Sequence, residues 1–269
     1  MMGRMVALVA LTCALFGLLF GSFGNVVIHR VPQGESIVRP PSSCPGCGTQ
    51  ISPRDNIPVV SWLLLRGRCR HCGQPISVRY PVVELAGAIL FGVVGAWIAG
   101  MAEPDWWALP AYLLFAWMLL VVSVIDLQTK RIPNALTYPL TPALLVLLAI
   151  AALANSDPAA LLRAVLAALG AFVFLLVLAL VNPRGMGMGD VKLGGFLGLG
   201  LGYIGWGAVI VGLFGAFLLG AVVSIVLIAT KLRGRKDLIP FGPYLAVGAF
   251  LAVFSGERIA DAYLGTIGA

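Results

Sequence analysis

The sequence predicts an all-α polytopic membrane protein of about eight transmembrane helices, with a small polar insert after the first. Composition is the first sign: 60% of residues are hydrophobic, 11% are charged and the mean hydropathy is +0.99, whereas soluble domains carry about 25% charged residues. The second is a series of eight apolar stretches at or near bilayer-spanning length. They run roughly 5–28, 80–100, 107–126, 135–154, 159–181, 190–204, 206–230 and 240–256. The third is the placement of charge. With the amino terminus outside, the inner loops hold Arg30, Arg39, Arg54, Arg66, Arg68, Arg70, Arg79, Lys130, Arg131, Arg184, Lys192, Lys231, Arg233, Arg235 and Lys236. Only Arg4, Arg163 and Arg258 of the eighteen Lys and Arg residues fall outside, a strong positive-inside asymmetry. Topology therefore explains the net charge of +7 better than nucleic-acid binding does.

The first stretch, residues 1–28 with its flanks, is too long for the apolar core of a secretory signal and lacks a cleavage site. Cys13 within it reads as an ordinary buried thiol. Residues 29–79 form the polar, Pro-rich insert, and residues 80–269 form the main helix bundle. Within the bundle, 190–230 is one Gly-rich apolar block whose length suits two spans at the helical rise. Gly202, Gly205 and Gly207 offer the turn between them.

The insert holds Cys44-Pro-Gly-Cys47 and Cys69-Arg-His-Cys72, a C-x2-C-x21-C-x2-C pattern just beyond the commonest zinc-ribbon spacing. Gly48 and Gly73 follow the pairs and let the backbone turn, so that all four thiolates face one ion. Four thiolates suit a closed, structural Zn2+ site. Two disulfides are the competing reading, disfavoured in a reducing cytosol. His71 is a bystander, since four sulfurs fill the shell. A metal staple also makes sense in a segment too small for a large apolar core. Asp55-Asn56-Ile57-Pro58 and Ser61-Trp62-Leu63-Leu64-Leu65-Arg66 offer a face to dock on the membrane surface or on the bundle.

Two acids stand at the edges of apolar runs: Asp126, ending the third span, and Asp190, opening the sixth after Gly185-Met186-Gly187-Met188-Gly189. A carboxylate beside hydrocarbon is costly and is usually kept for a function. Span counting puts both near the inner face. The alternating glycines leave the backbone free for unusual torsions and for close approach of another chain, which would pair as an added strand. Asp190 at a helix start would also gain from the helix dipole. Three readings compete: a cap with an interfacial anchor, a paired-acid ion or proton transporter, and an aspartic dyad that shares one proton to hydrolyse a peptide. The Gly-rich approach and the absence of mid-span acids favour the dyad.

These segments resemble the type IV prepilin peptidase family, membrane aspartic proteases with a G-x-G-D signature. The resemblance is carried by residues 21–32 (GSFGNVVIHRVP), the paired cysteines, residues 79–85 (RYPVVEL), Ile125-Asp126-Leu127 with Ile132-Pro133-Asn134, residues 187–193 (GMGDVKL) and residues 240–246 (PFGPYLA). It implies cleavage of the short basic leader of prepilins or pseudopilins at the cytoplasmic face, with Asp126 and Asp190 as the catalytic pair. Gly187, Gly189 and Lys192 would belong to the substrate or active-site loop. For members with the cysteine insert it also implies methylation of the new amino terminus with S-adenosylmethionine, in the bacterial inner membrane. A peptidase alone is the alternative. The insert lacks a Gly-rich nucleotide fingerprint, so a cofactor site would be assembled between insert and bundle. Glu84 is the methyltransferase candidate, either as a partner for the substrate amine or the sulfonium, or as a salt-bridge partner of Arg79 or another loop arginine. Asn25 and Arg30 are similarly placed, and either satisfy backbone or bind lipid phosphate. Lys192 either contacts carboxylate or substrate, or snorkels. Pro240 to Pro243 break the start of the last span.

Overall fold

Lipid gives apolar helices no hydrophobic reason to pair, so helices inside a bilayer meet through small residues that let backbones approach. That rule governs the first of two compact units, Met1–Pro104 and Asp105–Ala269, in a computed structural model that describes residues 2–183, 185–232, 234 and 239–267. In the first unit α1 (Met2–Arg30) pairs with α3 (Arg79–Ala99). A Cβ on Gly87 would sit 2.5 Å from the Gly17 carbonyl oxygen, and one on Gly95 would sit 2.7 Å from Cys13 Sγ. Cys13 is thus a packing residue of this seam. Between the two helices lie short 3-10 turns at Val31–Gln33 and Pro53–Asn56, the one-turn helix α2 (Val60–Leu64) and the cysteine pairs. Of the apolar face expected on this segment, Leu63 and Leu64 are exposed, while Trp62 turns inward and donates from Nε1 to the Ile76 carbonyl at 3.1 Å.

The second unit contains α4 (Leu109–Thr129), α5 (Asn134–Ala154), α6 (Pro158–Val181), α7 (Met188–Ile204), α8 (Trp206–Ala229) and α9 (Gly242–Ile267). α6 packs on α7, α8 packs on α9, and α4 lies against α9. The core runs through α4 and α7: Phe115 stacks on Phe196 at 5.3 Å between centroids, and the Tyr112 hydroxyl donates to the Gly200 carbonyl at 3.0 Å. Asp157 caps α6 by accepting from the Ala160 amide at 3.0 Å, a contact of the kind that contributes about 1 kcal/mol.

Helices occupy all eight predicted stretches. Among the described residues six of them are long and apolar enough to cross a membrane: α1, α3, α4, α5, α6 and α8. α7 and α9 stand outside that group. α7 is 17 residues long, and α9 runs past the expected residue 256 through Glu257, Arg258 and Asp261. The α7–α8 turn uses Gly205 alone, with Gly202 inside α7 and Gly207 inside α8. Charged side chains seal both helix ends there. Arg163 donates to the carbonyls of Gly202 (2.8 Å), Tyr203 (2.8 Å) and Ile204 (3.2 Å) at the α7 C-terminus. Glu257 accepts from the Ala208 amide (2.9 Å) at the α8 N-terminus. Each sign matches the helix dipole it meets. Of the basic residues used to orient the chain, Arg184, Arg233, Arg235 and Lys236 lie outside the described residues.

Candidate functional site

The two cysteine pairs fold as near copies of one knuckle. Gly48 N–H donates to the Cys44 carbonyl (2.9 Å) and Gly73 N–H to the Cys69 carbonyl (3.0 Å). Both glycines take the left-handed conformation, with φ of 68° and 73°, which a residue with a Cβ adopts at a cost. Cys44 N–H and Cys69 N–H then close each loop on Thr49 and Gln74. The ligand atoms of Cys44, Cys47, Cys69 and Cys72 all lie within 4.8 Å of one another, and all four cysteines are free thiols. The Cys44–Cys72 Sγ separation of 3.7 Å matches the edge of about 3.8 Å that zinc–sulfur bonds impose on a tetrahedron. His71 is not part of the cluster. The thiols do not ionise alike: hydrogen bonding to the Thr49 hydroxyl and amide brings Cys47 down to about 6. At Cys72 the Gln74 amide lowers the value, but desolvation and the neighbouring sulfurs push it up to about 11. A cation removes this conflict by favouring the thiolate at every position, so the four residues fit a metal ion.

In the second unit Asp126 and Asp190 come from different helices and line one cavity of about 350 Å³, together with Lys130, Arg131, Ile132, Asn134, Gly187, Met188, Gly189 and Lys192. Asp126 sits in the last turn of α4 and is 4% exposed. Its Oδ2 accepts from the Gly242 amide, the first of α9, at 2.9 Å. Gly242 has to be glycine, because a Cβ there would lie 2.8 Å from that oxygen. α4 ends immediately afterwards: Lys130 adopts the left-handed conformation, and its amide closes on the Asp126 carbonyl at 2.8 Å.

Asp190 lies in the first turn of α7, whose N-cap is Gly187. Its Oδ2 accepts from the Gly187 amide, and its own amide donates to the Gly187 carbonyl, both at 3.1 Å. The torsional freedom expected of the alternating glycines is not used here. Gly187 is in ordinary extended backbone, with φ of −85° and ψ of 155°, and Gly189 is already helical. What Gly189 provides is room, since its Cβ would meet Ile132 Cβ at 2.9 Å. Lys192 Nζ donates to Asn134 Oδ1 (2.8 Å) and the Tyr138 hydroxyl (3.0 Å) and lies over the Tyr138 ring.

The first unit contains a larger cavity of about 850 Å³, walled by α1, α3 and the insert. Glu84, 7% exposed, lines it and accepts from the Val59 amide at 2.7 Å; neither sequence-based reading of Glu84 anticipates a backbone partner. Arg30 satisfies backbone, donating to the Ser36 and Pro40 carbonyls at 3.0 and 2.8 Å. Asn25 is 2% exposed and donates from Nδ2 to the carbonyls of Tyr80 (3.0 Å) and Gly21 (3.4 Å). Those two acceptors fix which end of the amide is nitrogen, and its Oδ1 has no partner among the described residues. Asp55, on the same wall, is held below the ordinary carboxylate range by its hydrogen bonds from Arg70, the shortest of them 2.6 Å.

Gly242 and Val59 had no signature in the sequence, because each acts through a main-chain amide. The Gly-Pro step at 242–243 marks a helix start and nothing more specific.

Comparison with known proteins agrees with this division. A family model for the bacterial peptidase A24 N-terminal domain matches residues 15–98, and the model for the type IV leader peptidase family matches residues 113–225. Proteins named prepilin leader peptidase/N-methyltransferase are similar along nearly the whole length. That of Aeromonas hydrophila is 37% identical, covering 93% of this chain and 92% of its own. That of Pseudomonas aeruginosa is 36% identical, covering 93% and 91%, and that of Bacillus subtilis is 34% identical, covering 93% and 96%. No solved structure matches the chain. Six apolar helices in a chain with these relatives make it an integral membrane protein.

Proposed function

This chain belongs to the type IV leader peptidase family, and on that premise we propose that it cleaves the leader of type IV prepilins or pseudopilins and then methylates the amino terminus so exposed. The observation that carries the first activity is the convergence of Asp126 and Asp190, from α4 and α7, on one cavity that no other acid among the described residues lines. In each carboxylate a backbone amide fixes Oδ2, so the chemistry falls to the remaining oxygens. The ionised member takes a proton from water as the water oxygen bonds to the scissile carbonyl carbon, and the protonated member gives its proton to the carbonyl oxygen. Collapse of the tetrahedral diol breaks the C–N bond and passes a proton to the leaving nitrogen. The products are a leader ending in a carboxyl group and a mature chain with a free amine. Gly187 would admit the substrate backbone to the dyad, Gly189 lets Ile132 close against the loop, and Lys192 braces that loop against α5.

The second activity is assigned to the first unit. S-adenosylmethionine supplies an electrophilic methyl group when bound, and its ammonium and adenine amine are N–H donors. The residues present fit such a ligand: the buried Asn25 Oδ1 lacks a donor among the described residues, and the cavity carries the acids Glu84 and Asp55 beside the Trp62 ring. Asn25 would accept a hydrogen bond from the bound cofactor or amine. Cys44, Cys47, Cys69 and Cys72 would hold a structural Zn2+ that keeps the wall of this cavity in place, with no open coordination position for chemistry. We place the protein in the bacterial cytoplasmic membrane with its amino terminus outside and the dyad at the cytoplasmic face, as the distribution of Lys and Arg favours.

Mass spectrometry of a prepilin incubated with the purified protein tests both activities together. The expected product lacks the leader and gains one methyl group only when adenosylmethionine is added. An intact prepilin would remove the peptidase reading. A cleaved but never methylated product would leave a peptidase alone.

A further inference from the structure

We infer that Glu84 is a positioning residue, which fastens the cysteine insert to helix α3 by holding a strained turn at Val59. The Val60 amide donates to the Pro58 carbonyl at 2.6 Å, and Val59 between them has φ of 61° and ψ of −50°. This is a γ-turn of the positive-φ kind, which is rare and strained, and a β-branched residue in its centre is an outlier. Strain of this sort persists only where surrounding contacts impose it.

The contact here is Glu84. It takes the amide of Val59 itself at 2.7 Å, from a site that is 7% exposed, and a carboxylate acceptor makes this a strong, charge-assisted bond. The turn is also the start of α2, whose first bonds run from the Ser61 amide to Ile57 and from the Leu63 amide to Val59. Ser61 Oγ in turn accepts from the Ile57 amide (3.0 Å) and donates to the Arg54 carbonyl (2.8 Å). Glu84 therefore ties residues 54–64 to α3, and that piece carries Trp62 into the wall of the 850 Å³ cavity. On this view the carboxylate serves methyl transfer by fixing the wall, and not as a counter-ion to amine or sulfonium. The inference rests on the methyl-transfer reading of this cavity.

The test uses the full-length protein, measuring methylation of a cleaved prepilin, leader cleavage, and limited proteolysis within residues 54–66 in the same preparations. Glu84→Ala is expected to lower methylation about tenfold or more, the loss that follows from removing a hydrogen bond to a charged group. It should open residues 54–66 to protease while cleavage by the second unit continues. Glu84→Gln keeps an acceptor oxygen and should stay within about threefold of the parent protein. Val59→Gly relieves the positive φ and should restore methylation in the Glu84→Ala background. A Glu84→Gln variant as inactive in methylation as Glu84→Ala, with residues 54–66 still protected, would overturn the inference in favour of a charge role. Glu84→Gln decides the question even where Glu84→Ala fails to accumulate. If the parent protein never methylates, the bifunctional reading fails instead, and the proteolysis pattern alone then decides whether Glu84 holds the turn.

Discussion

Replacing Gly242 by alanine adds one methyl group, yet it should disable leader cleavage. The new Cβ would stand 2.8 Å from Asp126 Oδ2, closer than real Cβ contacts allow, and backbone on one side with a carboxylate on the other leaves little to yield. Either Asp126 rotates away or the start of α9 retreats, and both break the 2.9 Å bond from the Gly242 amide. Asp126 is 4% exposed, and a cavity water in place of the lost donor would not hold the carboxylate in one orientation. A hydrogen bond to a charged group is worth about 1.5–3 kcal/mol, which at 1.36 kcal/mol per decade predicts a fall in kcat of roughly 10- to 150-fold. KM should change little, because no substrate contact is assigned to this amide. The assay is initial-rate cleavage of a prepilin across a range of substrate concentrations. Methylation of a pre-cleaved substrate serves as the control for the first unit. A Gly242→Ala enzyme within about twofold of the parent kcat would refute the idea that this amide positions a working carboxylate.

Asp126→Asn and Asp190→Asn should each reduce cleavage by at least roughly a hundred- to ten-thousandfold while the protein stays in the membrane fraction; full processing by either would remove the dyad. Cys44→Ser combined with Cys47→Ser should abolish bound metal in elemental analysis and impair methylation more than proteolysis. Unchanged metal content would eliminate the zinc site. The Asp55–Arg70 pair makes the insert acid-sensitive in a defined direction. The folded value of Asp55 is lowered by the Arg70 hydrogen bonds, so its contribution is complete above the ordinary carboxylate range and is lost as pH falls through the folded value. Protease resistance of the insert, followed from about pH 6 to about pH 3, should decline less in Asp55→Asn than in the parent, from a lower starting level.

The helices, the cysteine knuckles and the meeting of Asp126 with Asp190 were legible because each follows from side-chain chemistry with a period or a spacing. Apolar runs of membrane length have few alternatives, and Gly48 and Gly73 sit where the knuckle needs a left-handed residue. Other features were hidden for a common physical reason. A backbone amide carries no residue identity, so neither the Gly242 donor to Asp126, 116 residues distant, nor the Val59 donor to Glu84 leaves a mark in the sequence. The readings of Lys192 as a contact to carboxylate, substrate or the interface left out what packs on its own helix face, here Asn134 and Tyr138 of α5.

The grip of α9 on Asp126 has a consequence for biosynthesis. Ribosomes deliver this chain in order, so α4 and α7 enter the membrane while α9 is still being made. Until α9 arrives, Asp126 lacks the amide that orients it, and the cavity is a site in outline only. The dyad would then work at about a tenth of its full rate or less until α9 is in place. Chains cut short before residue 242 would be slowed in the same way, since they lack the same donor.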